Sequence, residues 1–157
     1  MGNGLKIEES VLGDVYELAP NLRQDDINEI HALELTPSQS LLRGYVYSDE
    51  CYSVKFNNKV IGMFGVSGYG MAKGFGSIWF LGSDETTKHP IAFVKEGRNY
   101  IRKFLQKYDI LINAVDSRNH SHIKWLKHIG LNVTTPIIIN GYEFLQFYGT
   151  KETLKGE

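Results

Sequence analysis

The stretch Asn119 to Leu131, NHSHIKWLKHIGL, constrains this 157-residue chain more than any other. Ile123, Leu126 and Ile129 recur on one helical face, and Gly130 follows the last periodic residue, where a left-handed conformation can end a helix. Apolar runs flank it, Ile110 to Val115 before and Asn132 to Ile139 after. Strand, helix, glycine, strand is therefore the local order, and any function is built on that frame.

The rest of the chain extends this pattern. Leu5 to Glu9 alternates as a short strand, and Val11, Leu12, Val15 and Leu18 fall at helical spacing, with Ser10 expected as N-cap and Pro20 as the stop. A second helix is expected over 25–35 from Ile27, Ile30 and Leu33, and a third from Pro37 with Leu41, Leu42 and Tyr45. Cys51 to Phe56 and Lys59 to Val66, joined by Asn57-Asn58, read as a hairpin. The five glycines of residues 65–76 lack the Gly-Lys-Ser/Thr ending of a phosphate loop and lead into a strand, so they are read as a hairpin connection. Residues 77–82 form a central strand. A long helix is expected to open in the segment Ser83 to Pro90 and to reach Tyr108, with Gly97 allowing a close backbone approach. Tyr142 to Tyr148 is the last strand, and residues 150–157 are expected to fray. The sum is an α/β layer fold in one domain, with helices on a mixed central sheet of six to seven strands.

Composition narrows the function classes. A net charge of -1 gives no general attraction to nucleic acid or anionic membrane, although a local patch can hide inside a neutral total. The single Cys51 cannot form an intramolecular disulfide, no Cys pair is spaced for zinc, and Cys51 is read as packing. His122 and His128 are six residues apart, off the spacing that puts two ligands on one helical face, so no metal site is expected. The N-terminus lacks the apolar core of a secretory signal and no run is long enough to span a membrane, which points to a soluble, intracellular protein.

The element order over about residues 5–149 resembles the Gcn5-related N-acetyltransferase (GNAT) superfamily, with Asn119 and Gly130-Leu131 standing where that family places Asn, a helix and Gly-Phe. Four blocks carry a narrower resemblance: ELAPNLRQDDINEIHAL at 17–33, SDECYSV at 48–54, WFLGSD at 79–84 with KHPIAF after it, and DSRNHSHIKWLKHIGL at 116–131. They are similar to the GNAT-like internal virion or acetyltransferase-like proteins of short-tailed phages. The superfamily resemblance implies acyl transfer from acetyl-CoA to an amine, with the cofactor arm between two splayed strands, here 77–82 and 110–115. By position it implies cofactor contacts from Phe80, Leu81 and Gly82, an anion site at the amides of Thr86, Thr87 and Lys88, and Asn119 facing the arm.

The chain departs from that pattern at two points. No glycine lies between Gly82 and Gly97, and the loop carries Asp84 and Glu85, which repel an anion unless neutralised. Leu126 stands seven residues after Asn119, where many members place the tyrosine that reprotonates the thiolate; Tyr142, Tyr148 or a water would have to replace it. The general-base candidates are Glu34, Asp49, Glu50 and Glu143, with Glu50 favoured by its position in the SDEC block. The expectation is a phage protein with impaired or absent catalysis, acting in virion structure or assembly with phage virion or assembly proteins as partners, in the host cytoplasm during infection or in the virion. The alternatives are an active acetyltransferase acting on a host or phage amine, and an acyl-CoA binder without turnover.

Overall fold

In the computed structural model, which describes residues 4–154, seven strands form one sheet in the order β1-β2-β3-β4-β5-β7-β6. These are β1 (Leu5–Glu9), β2 (Glu50–Phe56), β3 (Lys59–Ser67), β4 (Phe75–Gly82), β5 (Ile110–Asp116), β6 (Asn132–Ile139) and β7 (Tyr142–Gly149). Every neighbouring pair is antiparallel except β4 and β5. The hairpin read at Asn57-Asn58 is present, with both asparagines at positive φ (51° and 64°), as a tight turn between twisted strands requires.

The two faces of the sheet are covered by different helices, and the period-two alternation of β4 sorts them. Trp79 and Leu81 point into the cluster formed with α1 (Leu12–Leu18), α2 (Gln24–Ala32) and α3 (Pro37–Tyr47). Ile78 points into the cluster formed with α4 (Pro90–Phe104) and α5 (His120–His128), where Ile101, Phe104, Leu126 and Ile129 are buried. The apolar stripe read on α5 is therefore its core face.

Several boundaries differ from expectation for local reasons. The helix expected to open at Ser83 is instead a 3-10 turn over Asp84–Lys88 followed by α4. Thr86 and Thr87 bond their hydroxyls back to the carbonyls of Ser83 and Asp84, and His89, which precedes Pro90, takes φ -128° and ψ 50°, outside the helical well. The regular helix ends at Phe104, although Leu105 and Tyr108 stay buried. Ser10 does not cap α1; its hydroxyl bonds Ser53, and Asp14 accepts from the Val11 amide. The second helix stops at Ala32, leaving Leu33 exposed and Glu34 at φ 62° in the turn beyond. Gly97 makes room for side chains rather than backbone, since a Cβ there would lie 2.8 Å from Ile129 Cγ2 and 3.2 Å from Trp125 Cζ2. The tail expected to fray forms α6 (Lys151–Leu154) as far as it is described, anchored by Leu154 in the core and by Thr150–Thr153 hydrogen bonds; residues 155–157 lie outside the described residues.

Candidate functional site

The parallel ladder between β4 and β5 is short. It joins Phe75, Gly76 and Ser77 to Ile110, Leu111 and Ile112 and then stops. One step further Asn113 Nδ2 donates to the Ile78 carbonyl at 2.6 Å, so a side chain takes over the ladder where the backbones part. Beyond that point the strands splay, as the family resemblance implies.

Backbone groups of alternate residues along a strand point to the same side. The Ile78 carbonyl is engaged towards β5, and so are the Gly82 amide and carbonyl, which bond Asp26 and the Arg23 amide. Phe80, midway between them, therefore turns its amide into the same opening. A cavity of about 340 Å³ passes through the sheet here, lined on one face by Glu29, Arg43, Gly44 and Trp79 and on the other by Phe104, Leu126 and Ile129.

The wide end of the opening is filled by side chains from the start of α2. Asp26 Oδ2 accepts from the Gly82 amide at 2.9 Å, and its Oδ1 accepts from Arg23 Nη2 at 2.9 Å and Asn119 Nδ2 at 3.0 Å. Arg23 Nη2 also donates to Asn119 Oδ1 at 3.0 Å, and Nη1 donates to Ser121 Oγ at 2.6 Å. One turn along, Glu29 Oε1 accepts from the Asp116 amide at 2.8 Å. Two carboxylates of one helix thus cap the ends of both diverging strands. Asp26 is fully buried, and Asn119 is 1% exposed.

Electrostatics make Glu29 unusual. Burial pushes its carboxyl up to about 7, the neighbouring Asp26 and Asp116 carboxylates add to the rise, and the Asp116 amide opposes it. Burial also disfavours charge on Asp116, but Arg118, bonded to both of its oxygens, holds that carboxyl below its usual value.

On the α4–α5 side lies a second cavity of about 860 Å³, lined by Arg23, Lys95, Arg98, Arg102, Lys124 and His128 with Thr86 and Thr87 at one end. The local basic patch that a neutral total can hide is here. Phe80, Phe93, His122 and Trp125 line both cavities and so form the wall between them. His122 packs edge-on against Phe80, burial lowers it to about 4, and its Nδ1 has no hydrogen-bond partner among the described residues.

The residues singled out in the sequence scatter over this geometry. Phe80 and Leu81 line the opening, Leu81 from within the α1–α3 cluster, Gly82 stands at its wide end bonded to Asp26, and Thr86 and Thr87 lie on the basic cavity. The Thr86 amide is spent on Ser83 within the turn, and Lys88 pairs with Glu85 at 3.3 Å. Of the two carboxylates expected to repel an anion, Glu85 is thus offset by Lys88 and also contacts His89 at 3.0 Å, whereas Asp84 has no such pairing among the described residues of the turn. Asn119 stands at the wide end of the opening, where Arg23 and Asp26 hold its amide, because its burial leaves no solvent to satisfy it.

Glu50 is taken up by Tyr52 and Lys103 at the start of β2. Glu34 and Glu143 are exposed, Asp49 bonds Gly68 and Tyr108, and Tyr142 lies under the Arg118 guanidinium at 5.0 Å. None of these five lines either cavity. Leu126 is core, Cys51 donates to Ser10 at 3.5 Å at the edge of the α1–α3 cluster, and no group of His, Cys, Asp and Glu among the described residues could hold a metal. The carboxylate that sequence reasoning missed is Glu29. Its signal was present: Arg23, Asp26 and Glu29 recur at three-residue steps on the face of α2 turned towards the strands.

Comparison with known proteins identifies the frame. The family model described as "Bacteriophage T7, probable scaffold protein Gp13" matches residues 59–135. A search of the curated proteins returns no match. Among solved structures, a GNAT-family acetyltransferase from Bacillus anthracis superposes with a TM-score of 0.72 at 12% identity, covering 94% of this chain and 95% of that one. A Bacillus subtilis acetyltransferase in complex with CoA gives 0.62 at 12% identity over 93% and 97%. AAC(6')-Ib in complex with ribostamycin and coenzyme A gives 0.69 at 12% identity over 97% and 96%. At such identities the likeness establishes the GNAT fold and no more.

Proposed function

Taking the GNAT fold as the premise, we propose that this chain is a phage-encoded component of virion assembly whose acyl-transfer chemistry is impaired or absent. It acts in the host cytoplasm during infection, on virion or assembly proteins, and can travel with the particle. The match of residues 59–135 to a phage scaffold family supports the setting. The observation that carries the loss of chemistry is the saturation of Gly82 and Asn119 by Asp26 and Arg23. A cofactor arm entering between the strands needs such donors for its own carbonyl and phosphate oxygens, and a buried carboxylate already occupies them. As folded, neither Gly82 nor Asn119 offers coenzyme A a free donor, which supports this reading. Leu126 adds that the helix supplies no proton donor to a departing thiolate at that position.

Calorimetry with acetyl-CoA, followed by a thiol-release assay over an amine panel, tests this. The reading expects no thiol release. Turnover in the wild-type chain overturns it, as does absence of the protein from both particles and assembly intermediates.

A second reading, an acetyl-CoA-dependent N-acetyltransferase acting on a host or phage amine, is favoured by Glu29. A carboxyl near 7 on the α2–α3 side of the slot is poised to take a proton from an incoming ammonium at neutral pH. In that reading Glu29→Gln abolishes activity while leaving the fold intact.

A further inference from the structure

We propose that α2 is a displaceable latch on the slot: Arg23, Asp26 and Glu29 occupy donors that an acceptor-rich chain, one bearing carbonyl or phosphate oxygens, takes when the helix withdraws. The inference rests on the closed-slot reading and concerns how that closure is held.

Its basis is the face by which α2 meets the strands. A helix seated for good on a sheet turns apolar side chains inward. Here Ile27 and Ile30 anchor α2 to the α1–α3 cluster and the Arg23 amide bonds the Gly82 carbonyl, but the side-chain hydrogen bonds to β4, β5 and α5 are made by a guanidinium and two carboxylates. Buried ion pairs contribute little to stability, because desolvation offsets their attraction. Glu29 is worse placed still, a half-buried carboxyl that lines the cavity beside Asp26 and Asp116 and accepts from the Asp116 amide. What these groups do well is specify a position.

Withdrawal of α2 exposes a set of donors already pointing one way. The Gly82 amide and Asn119 Nδ2 both aim at the Asp26 carboxylate, and the Asp116 amide aims at Glu29. Arg23 and Ser121 line the basic cavity beside them, and Phe80 lines both cavities. Acceptor oxygens of a ligand therefore compete for the same hydrogen bonds as the carboxylates of α2, and the latch and the ligand exclude each other.

Two substitutions with opposite effects test the latch, with acetyl-CoA as the probe. The double variant Arg23→Met/Asp26→Leu removes both charges together and keeps apolar bulk, so the fold is expected to survive, which circular dichroism checks. Calorimetry should then show at least tenfold tighter acetyl-CoA binding than wild type, and hydrogen exchange over residues 24–32 should quicken. Glu29→Gln removes the unfavourable buried charge and should slow exchange at the Asp116 amide. The latch is overturned if the folded double variant binds no tighter, or if Glu29→Gln leaves that amide unchanged. The closed-slot reading fails separately, by thiol release from wild type, so the ratio between variant and wild type judges one idea and turnover judges the other.

Discussion

Asp26 accepts the Gly82 amide at 2.9 Å across 56 residues of sequence, with no exposure to solvent. The end of the central strand is thus held by the second helix rather than left open to a ligand. The same carboxylate holds Arg23 and Asn119, so one side chain ties α2, β4 and α5 together.

Asp26→Ala should therefore destabilise the fold by about 3 to 5 kcal/mol, because it leaves Arg23 buried without its counter-charge. Urea unfolding of the single variant beside Arg23→Met/Asp26→Leu checks the origin of the loss. The double variant should recover the part due to the uncompensated charge of Arg23, while both variants leave the Gly82 amide and Asn119 without their acceptor; equal losses in both would mean that those hydrogen bonds and packing, rather than charge, are responsible.

The two perturbed groups near the slot act on stability with opposite sign. Glu29 is raised from 4.5 to about 7, so the folded state holds its proton more tightly, and stability falls as pH rises between these values. His122 is lowered from 6.5 to about 4, so the unfolded state binds the proton more tightly, and stability rises from about 4 to 6.5. Each effect is on the order of 3 kcal/mol, and they largely cancel in wild type. Glu29→Gln should expose a rise over pH 4 to 6.5, and His122→Phe a fall over pH 4.5 to 7, in urea midpoints at constant slope. A flat profile for either variant contradicts the assignment.

Gly97→Ala sets helix propensity against packing. Propensity alone favours alanine by about 1 kcal/mol. The new Cβ would meet Ile129 Cγ2 at 2.8 Å, and overpacking of this kind costs about 1 to 3 kcal/mol. A lower melting temperature is expected, and a higher one would show that α4 and α5 can move apart freely.

Leu126→Tyr restores the residue type that the family resemblance expects at this position. Leu126 is 2% exposed within the core, so the larger ring should cost about 1 to 3 kcal/mol. It should bring no thiol release with acetyl-CoA, because the strand ends stay closed. Release by this variant would locate the defect in the missing acid instead.

The fold was legible because its signals are local and periodic. Ile123, Leu126 and Ile129 with Gly130 define α5, and Asn57-Asn58 between two apolar-rich runs marks the β2–β3 hairpin. The splay at residues 77–82 and 110–115 was legible only through the resemblance, since nothing in either strand's composition announces where a ladder ends. The site was less legible. Glu50, Glu34 and Tyr142 are plausible by residue type, but their surroundings lie far off in sequence: Lys103 for Glu50, and Arg118 for Tyr142. Asn119 was assigned to a ligand through the resemblance alone, and its hydrogen bond with Arg23, 96 residues away, was not legible in the sequence. Glu29 was passed over because α2 was read for its isoleucines, while the polar face at Arg23, Asp26 and Glu29 carried the information.

The most direct measurement is the position of the Gly82 amide resonance in a nitrogen–proton correlation spectrum of the wild-type chain as acetyl-CoA is added to millimolar concentration. A closed slot predicts that Gly82 and the Asn119 side-chain amide do not move. Saturable shifts at both, accompanied by free thiol when an amine is present, would contradict it.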